Sequence, residues 1–99
     1  MEIKVSVLMM TYMHNSFIQP ALFGVINQLC DFNVELIIAD DCSRDDSSKT
    51  INNFLNNIEI PDNFHVSYKK NKKNIGMNAN YIMAFNCARG KYIANCEGD

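Results

Sequence analysis

Carboxylates and hydroxyls gather at three points of the 99-residue chain, each directly behind a run of apolar residues. Thr11 and Tyr12 follow the first run, Asp40 and Asp41 follow the second, and Glu97–Asp99 follow the last. Paired carboxylates accept hydrogen bonds from ring N–H groups and ribose hydroxyls, and acidic residues at a strand tip suit a hard divalent cation that holds a diphosphate. The three clusters could therefore share one chemistry, the binding of a nucleotide.

Each cluster also has a structural interpretation. Asp40 can end a strand while Asp41 caps a turn, and a tyrosine at a strand end is more often a packing residue than a ligand contact. Two adjacent carboxylates repel each other, so a turn gains little from the second one, which favours a ligand role for the pair. For the acidic tripeptide alone, a solvated strand end and a metal site are equally supported.

A fourth candidate is the stretch Asn74–Asn80, which precedes and enters a predicted helix. It is either a helix start with a loop glycine at Gly76, or a site where the helix N-terminus and the amide of Asn74 or Asn80 meet a nucleotide. The preceding lysines, in Lys69–Asn74, form a solvated connection or lie near an anion. No Ser-His-Asp or Cys-His arrangement occurs, and neither histidine has partners at metal-ligand spacing.

The elements that must position these residues follow from hydrophobic periodicity. Short apolar and β-branched runs predict four strands, at Lys4–Met10, Val34–Ala39, Phe64–Tyr68 and Tyr92–Cys96. Helical spacing between them predicts a helix beginning near Pro20, a second with Ile51, Phe54, Leu55 and Ile58 inside, and a third over Asn78–Ala88. The order β-α-β-α-β-α-β predicts a Rossmann-like α/β fold, an open, mostly parallel sheet with helices on both faces. Ligands of such sheets collect at the carboxyl ends of the strands.

Composition excludes several classes of protein. The formal net charge of -2 provides no basic field for a nucleic acid, and no apolar run approaches the roughly 20 residues that a membrane span needs. The four cysteines are widely spaced without a C-x-x-C pair, which is typical of thiols in a reducing compartment. The sequence thus predicts a cytoplasmic protein, with a peripheral position at the inner membrane as an alternative.

The motifs together resemble the amino-terminal half of family two glycosyltransferases with the GT-A type of fold, and the likeness covers nearly the whole chain. The runs that carry it are VSVLMMTYMHNSFIQPALFGVINQ, VELIIADDCSRDDS and NIGMNANYIMAFNCARGKYIANCEGD. Asp40 to Ser43 is similar to the family's Asp-Asp-Gly-Ser element, and Glu97–Asp99 to its Asp-x-Asp metal motif. Met10 and Met13 depart from the family's strand-one turn, and neutral residues replace the basic residue that some members carry after Gly76.

The resemblance implies transfer of a sugar from a nucleotide-diphosphate donor, commonly a UDP-sugar, to a hydroxyl of a saccharide or lipid-linked acceptor, usually with inversion, as in polysaccharide biosynthesis. It implies that Thr11 and Tyr12 contact the nucleoside, that Asp41 contacts the base, and that Asp40 supports the turn or reaches the ribose. Asn74, Gly76 and Asn80 would complete the nucleotide site. Asp99, with Glu97, would hold Mn²⁺ or Mg²⁺.

In the same family the base that deprotonates the acceptor lies beyond the metal motif. Residues 1–99 are therefore expected to be one donor-binding subdomain without its acceptor half, and self-association through the cut sheet is expected as well. The alternative is a nucleotide-binding half-domain without turnover. A Rossmann oxidoreductase is disfavoured because Thr11–Phe17 contains no glycine where G-x-G-x-x-G belongs.

Overall fold

The strands and helices alternate along the chain in the predicted order. The computed structural model describes residues 2–11, 23–26, 31–41 and 47–97. The strands are β1 (Val5–Thr11), β2 (Val34–Asp40), β3 (Phe64–Lys70) and β4 (Tyr92–Glu97). The helices are a segment at residues 23–26 (α1), α2 (Ser47–Asn57) and α3 (Met77–Cys87).

The four strands form one parallel sheet in the order β3-β2-β1-β4. Val5 is level with Val34 on one side and with Tyr92 on the other, and Val34 is level with Phe64, so all the strands begin together. Strand β2 lies inside the sheet and every one of its residues is buried, which is why its sequence is almost continuously apolar. The predicted open parallel sheet is confirmed.

Helices cover both faces of the sheet, as predicted. On one face, Ile26 of α1 and Ile51 of α2 pack with Met9, Leu36 and Ile38. On the other face, α3 packs against the alternate residues of β1 and β2, with the cluster Leu8, Ile37, Ala39 and Ala84. The period of two along each strand therefore sends successive side chains into two separate cores.

The third strand is longer than the sequence predicts. Its predicted end is Tyr68, but β3 continues through Lys69 and Lys70, and Lys70 is level with Asp40 of β2. Two lysines are tolerated because β3 is an outer strand of the described sheet, where long side chains reach solvent. Helix α3 is shifted by one residue from its prediction and ends where Ala88 turns to extended backbone.

The register brings the candidate residues to one edge of the sheet. Thr11, Asp40 and Lys70 end their strands side by side, and Glu97 ends β4 opposite Met10 of β1. The loop that enters α3 begins at the same edge, directly after Lys70. In the described ranges, no helix is long and apolar enough to cross a membrane.

Candidate functional site

The centre of the candidate site is the carboxylate of Asp41, the first residue after β2. It is 4% exposed and accepts three hydrogen bonds from the segment between β3 and α3. The Ile75 N–H and the Asn71 side-chain amide both donate to Oδ1, at 2.8 and 2.9 Å. The Gly76 N–H donates to Oδ2 at 2.9 Å. One carboxylate thus holds the whole loop that leads into α3.

These donors also decide the charge of Asp41. Burial by itself raises the pKa of this carboxyl, but the N–H groups of Ile75 and Gly76 and the amide of Asn71 outweigh it and hold the pKa below its ordinary value of 3.8. Asp41 is therefore ionised at neutral pH. A carboxylate offers about four acceptor positions, so Oδ2 keeps one that the described residues do not use.

Gly76 gives the loop its shape at the start of α3. Its φ of 93° and ψ of 156° lie in a region that is essentially restricted to glycine. No side chain caps α3 through a hydrogen bond, and the first turn of the helix contains no acidic residue. The Asp41 carboxylate beside Gly76 supplies the negative charge that the positive end of a helix favours.

Asp40 lies deeper in the site than its neighbour. It is fully buried, and the Tyr68 hydroxyl donates to its Oδ2 at 3.2 Å. Its backbone carbonyl accepts the Asn71 N–H at 2.8 Å, which continues the pairing of β2 with the chain after β3. Of the two roles expected from the sequence, these contacts fit support of the turn, and a contact to the ribose stays a prediction.

Asparagines link Asp41 to α3. Asn80 is 1% exposed, and its amide donates to the Ala39 carbonyl at 3.1 Å while its oxygen accepts from the Asn71 amide at 3.0 Å. Asn74 is exposed, its amide lies 3.4 Å from the Asp41 carbonyl, and its oxygen accepts the Gly76 N–H at 3.1 Å. The side chains of both predicted amide ligands are thus engaged with the protein itself.

Two residues of this network, Tyr68 and Asn71, are not predicted from the sequence. The polarity of the lysine-rich stretch favours a solvated connection for Asn71, and the apolar pattern places Tyr68 at the end of a strand. The signal that could have identified them is position, because both lie where β3 reaches the edge that carries Asp40 and Asp41. Placing the end of β3 two residues later brings Asn71 to this edge.

The remaining predicted residues lie at or beyond the ends of β1 and β4. Thr11 and Glu97 are the last strand residues, and their backbones lie at the same edge as Asp40. Tyr12 and Asp99 lie outside the described residues, as does Gly98. Within the described part of the chain, no three histidine, cysteine, aspartate or glutamate side chains are grouped to hold a metal ion.

Comparison with known proteins gives the class. The model of the family described as Glycosyl transferase family 2 matches residues 6–99. Since this match covers nearly the whole chain, including the Asp41 network, the chain belongs to glycosyl transferase family 2. The predicted family is confirmed.

Two curated relatives illustrate the family. An uncharacterized protein of Mycobacterium tuberculosis is 36% identical over 94 residues, covering 95% of this chain and 26% of the relative. An uncharacterized glycosyltransferase of Mycoplasma genitalium is 31% identical over 100 residues, covering 97% of this chain and 32% of the relative. The chain thus spans between a quarter and a third of the length of these relatives.

Solved structures share the fold. The mannosyltransferase PcManGT of Pyrobaculum calidifontis, in complex with GDP-Man and Mn²⁺, superimposes with a TM-score of 0.86 at 16% identity over 100% of this chain and 28% of its own. S. aureus TarS 1-349, in complex with UDP-GlcNAc, gives a TM-score of 0.82 at 20% identity over 98% of this chain and 27% of its own. At these identities the likeness establishes a GT-A type of fold.

Proposed function

We propose that residues 1–99 form the donor-binding part of an enzyme that transfers a sugar from a nucleoside diphosphate sugar, with a UDP-sugar as the expected donor, to an acceptor hydroxyl. The observation that carries the proposal is the Asp41 carboxylate, buried and ionised at the carboxyl edge of a parallel sheet. Ligands of open α/β sheets bind at this edge. Family membership and neighbours with bound nucleotide sugars support the same conclusion.

Asp41 is suited to recognise a base that carries an imino N–H. Three protein donors fix the carboxylate in place, and its Oδ2 retains an acceptor position that no described residue occupies. A uracil N3–H would donate to this oxygen, and a charged acceptor makes such a bond stronger than a neutral one would. Thr11 and Tyr12 would contact the nucleoside, while Asp40 supports the turn beneath it.

Glu97 and Asp99 would hold a divalent cation, Mn²⁺ or Mg²⁺. Carboxylate oxygens are the hard ligands that these ions take, and β4 delivers Glu97 to the edge where Asp40 and Asp41 lie. When bound, such an ion neutralises the charge that builds on the leaving diphosphate.

Transfer itself would need residues outside 1–99. We propose a donor-binding subdomain whose acceptor side, including the carboxylate base of an inverting reaction, belongs to a further part of the enzyme, as expected for relatives three to four times as long. The isolated chain is then expected to bind a donor without transferring sugar. Acceptor-dependent transfer by the purified 99-residue chain would contradict this division.

Association between copies is also proposed. In the described sheet β4 pairs only with β1, and Tyr92 and Ile93 at its start are 54% and 37% exposed. An outer strand with exposed apolar side chains invites pairing with another strand. Light scattering at increasing concentration is expected to show dimers, and a constant monomer mass would contradict the proposal.

Calorimetric titration tests the donor site. UDP and GDP are titrated into the chain with and without Mn²⁺, and UDP is compared with its N3-methyl derivative, which lacks the imino N–H. Losing a hydrogen bond to a charged group costs about 1.5–3 kcal/mol, so N3-methylation is expected to weaken binding about tenfold or more. Asp41→Ala is expected to weaken UDP binding and to abolish discrimination between the two ligands.

The matched control is Asp62→Ala, an exposed aspartate in the turn before β3, which should bind like the unmodified chain. A disordered loop in Asp41→Ala would weaken the binding of both ligands but leave the ratio of their affinities unchanged. The ratio of the affinities for UDP and N3-methyl UDP therefore isolates the contact to the base. Equal affinity of the unmodified chain for UDP and N3-methyl UDP would refute the role of Asp41. Absence of any nucleotide binding would refute the proposed function.

A further inference from the structure

A third buried carboxylate lies near the other end of β2, remote from the candidate site. Glu35 is 4% exposed although it is the second residue of a strand whose other residues, apart from the terminal Asp40, are apolar. The Ser6 hydroxyl donates to its Oε2 at 2.6 Å, and the Arg89 backbone N–H donates to the same oxygen at 2.9 Å. Burying a charge is costly unless it is hydrogen-bonded, so this arrangement needs an explanation.

The hydrogen bonds of Glu35 and of its partner Ser6 connect β1 and β2 to the turn between α3 and β4. The Arg89 side chain adds a bond from Nε to Oε1 at 3.2 Å, while the Gly90 N–H donates to the Ser6 hydroxyl at 2.8 Å. Gly90 packs so closely that a Cβ there would lie 2.5 Å from the Ser6 nitrogen. Ser6, Glu35, Arg89 and Gly90, here called the turn clamp, therefore fasten this turn to the two central strands.

Among the described residues, the other contacts of strand β4 include its ladder with β1 and the packing of Cys96 against the core cluster that contains Met9. Within the described sheet it pairs with β1 alone, and the side chains of Tyr92–Asn95 are exposed. Register is weakly specified where neither face of a strand is deeply buried. The turn clamp acts directly before the first residue of β4, where the Lys91 and Tyr92 N–H groups donate to the carbonyls of Ile3 and Lys4, just before β1.

We propose that Glu35 is a positioning residue of the donor site, which holds the register of β4 on β1 through the turn clamp and so delivers the acidic end of β4 to the carboxyl edge of the sheet. The inference rests on the proposed function, because it assigns metal binding to Glu97 and Asp99. A slip of two residues keeps every side chain on its own face but moves the acidic end by about 6.6 Å. Metal ligands must lie within about 0.2 Å of their ideal distances, so such a slip would remove the cation site.

The experiment compares Glu35→Gln with Glu59→Gln, the same chemical change at an exposed glutamate after α2. The first readout is amide hydrogen exchange by NMR, in which β4 amides of Glu35→Gln are expected to exchange about tenfold faster relative to those of β2 and β3. The second is the ratio of the UDP dissociation constants measured without and with Mn²⁺, which is expected to fall about tenfold while metal-free affinity changes less than about twofold. Ser6→Ala, which removes the shared hydroxyl, serves if Glu35→Gln does not fold.

The two readouts separate this inference from the proposed function. Faster β4 exchange together with a reduced Mn²⁺ effect supports it, and general destabilisation of the sheet would not change the Mn²⁺ ratio. Amide exchange in Glu35→Gln that is unchanged, or faster by the same factor in all strands, overturns the inference. An unchanged Mn²⁺ ratio in a variant whose β4 amides exchange faster also overturns it. If the unmodified chain binds no nucleotide at all, the proposed function fails, whereas β4-specific exchange in Glu35→Gln still supports the clamp.

Discussion

Replacing Asp41 with asparagine tests how much of the site depends on one charge. The introduced amide can keep its oxygen at either carboxylate position, but its NH₂ group then faces at least one of the backbone N–H donors of Ile75 and Gly76. At least one charge-assisted bond is lost and two donors oppose each other. A hydrogen bond to a charged group contributes about 1.5–3 kcal/mol, so the free energy of unfolding is expected to fall by about 2–3 kcal/mol.

Urea denaturation followed by circular dichroism measures this loss. Slopes of about 1–3 kcal/mol per molar urea are usual for small domains, so the midpoint of Asp41→Asn is expected about 0.7–3 M lower. Asp62→Asn makes the same change at an exposed carboxylate in a turn and is expected to stay within about 0.5 kcal/mol of the unmodified chain. Backbone exchange should show the loss concentrated in the loop from Asn71 to Gly76.

The result that would refute this reasoning is a midpoint for Asp41→Asn equal to that of Asp62→Asn. The three donors would then be satisfied equally well by a neutral amide, and the charge of Asp41 would contribute nothing to the loop. A large loss with protection of the loop unchanged would also contradict it, because the destabilisation would have to arise elsewhere.

Three further predictions concern backbone space and pH. In thermal melts, Gly90→Ala is expected to lower the free energy of unfolding by about 1–3 kcal/mol because its Cβ would overlap the β1 backbone. The control is Gly24→Ala, whose Cβ would have nothing within 4 Å, and it is expected to be neutral or slightly stabilising. Gly76→Ala meets no atoms within 4 Å either, so its expected loss of about 1–3 kcal/mol in the same melts is purely conformational and reflects the φ of 93°. Burial raises the pKa of Glu35, but hydrogen bonds from the Ser6 hydroxyl and Arg89 outweigh burial and hold this pKa below its ordinary value of 4.5. The pKa of Asp41 likewise lies below its ordinary value of 3.8. The stabilisation from both carboxylates is therefore complete above those values and is lost as pH falls through the folded-state pKa values. The urea midpoint should stay constant down to about pH 5 and fall below about pH 4, and it should fall less steeply in Glu35→Gln. Equal pH slopes in Glu35→Gln and the unmodified chain would contradict this.

The fold could be predicted because each of its elements is specified locally. An almost uninterrupted apolar run at Val34–Asp40 allows only a strand covered on both faces, and crossovers of helical length then require parallel neighbours. The ends of the elements were less predictable. Lys69 and Lys70 have the polarity of a loop, and only the pairing of β3 with β2 extends the strand through them.

The position of the site could be predicted, but its contacts could not. Asp40 and Asp41 follow a recognisable strand, which places them at the ligand edge from the sequence alone. Their partners come from about 30 residues further along the chain, and no local pattern marks Tyr68 or Asn71 as donors. Glu35 gave no signal either, since its partner Arg89 is 54 residues away.

Among the described residues, two of the three buried carboxylates, Asp41 and Glu35, contact the segments that flank α3, one at each end of the helix. Asp41 binds the loop that enters α3, and Glu35 binds the turn that leaves it. The helix needs such anchors because only Asn80 and Ala84 are buried along it, while Ile82 and Phe85 are 58% and 49% exposed. Ionised acceptors hold defined donors at defined distances, whereas a narrow apolar contact permits sliding.

Because one anchor fixes the loop at the donor site and the other fixes the start of β4, we expect the two ends of α3 to respond independently to substitution. The Asp41→Asn and Glu35→Gln losses should then add within about 0.5 kcal/mol in the double variant, and a larger coupling would show that α3 moves as one rigid unit.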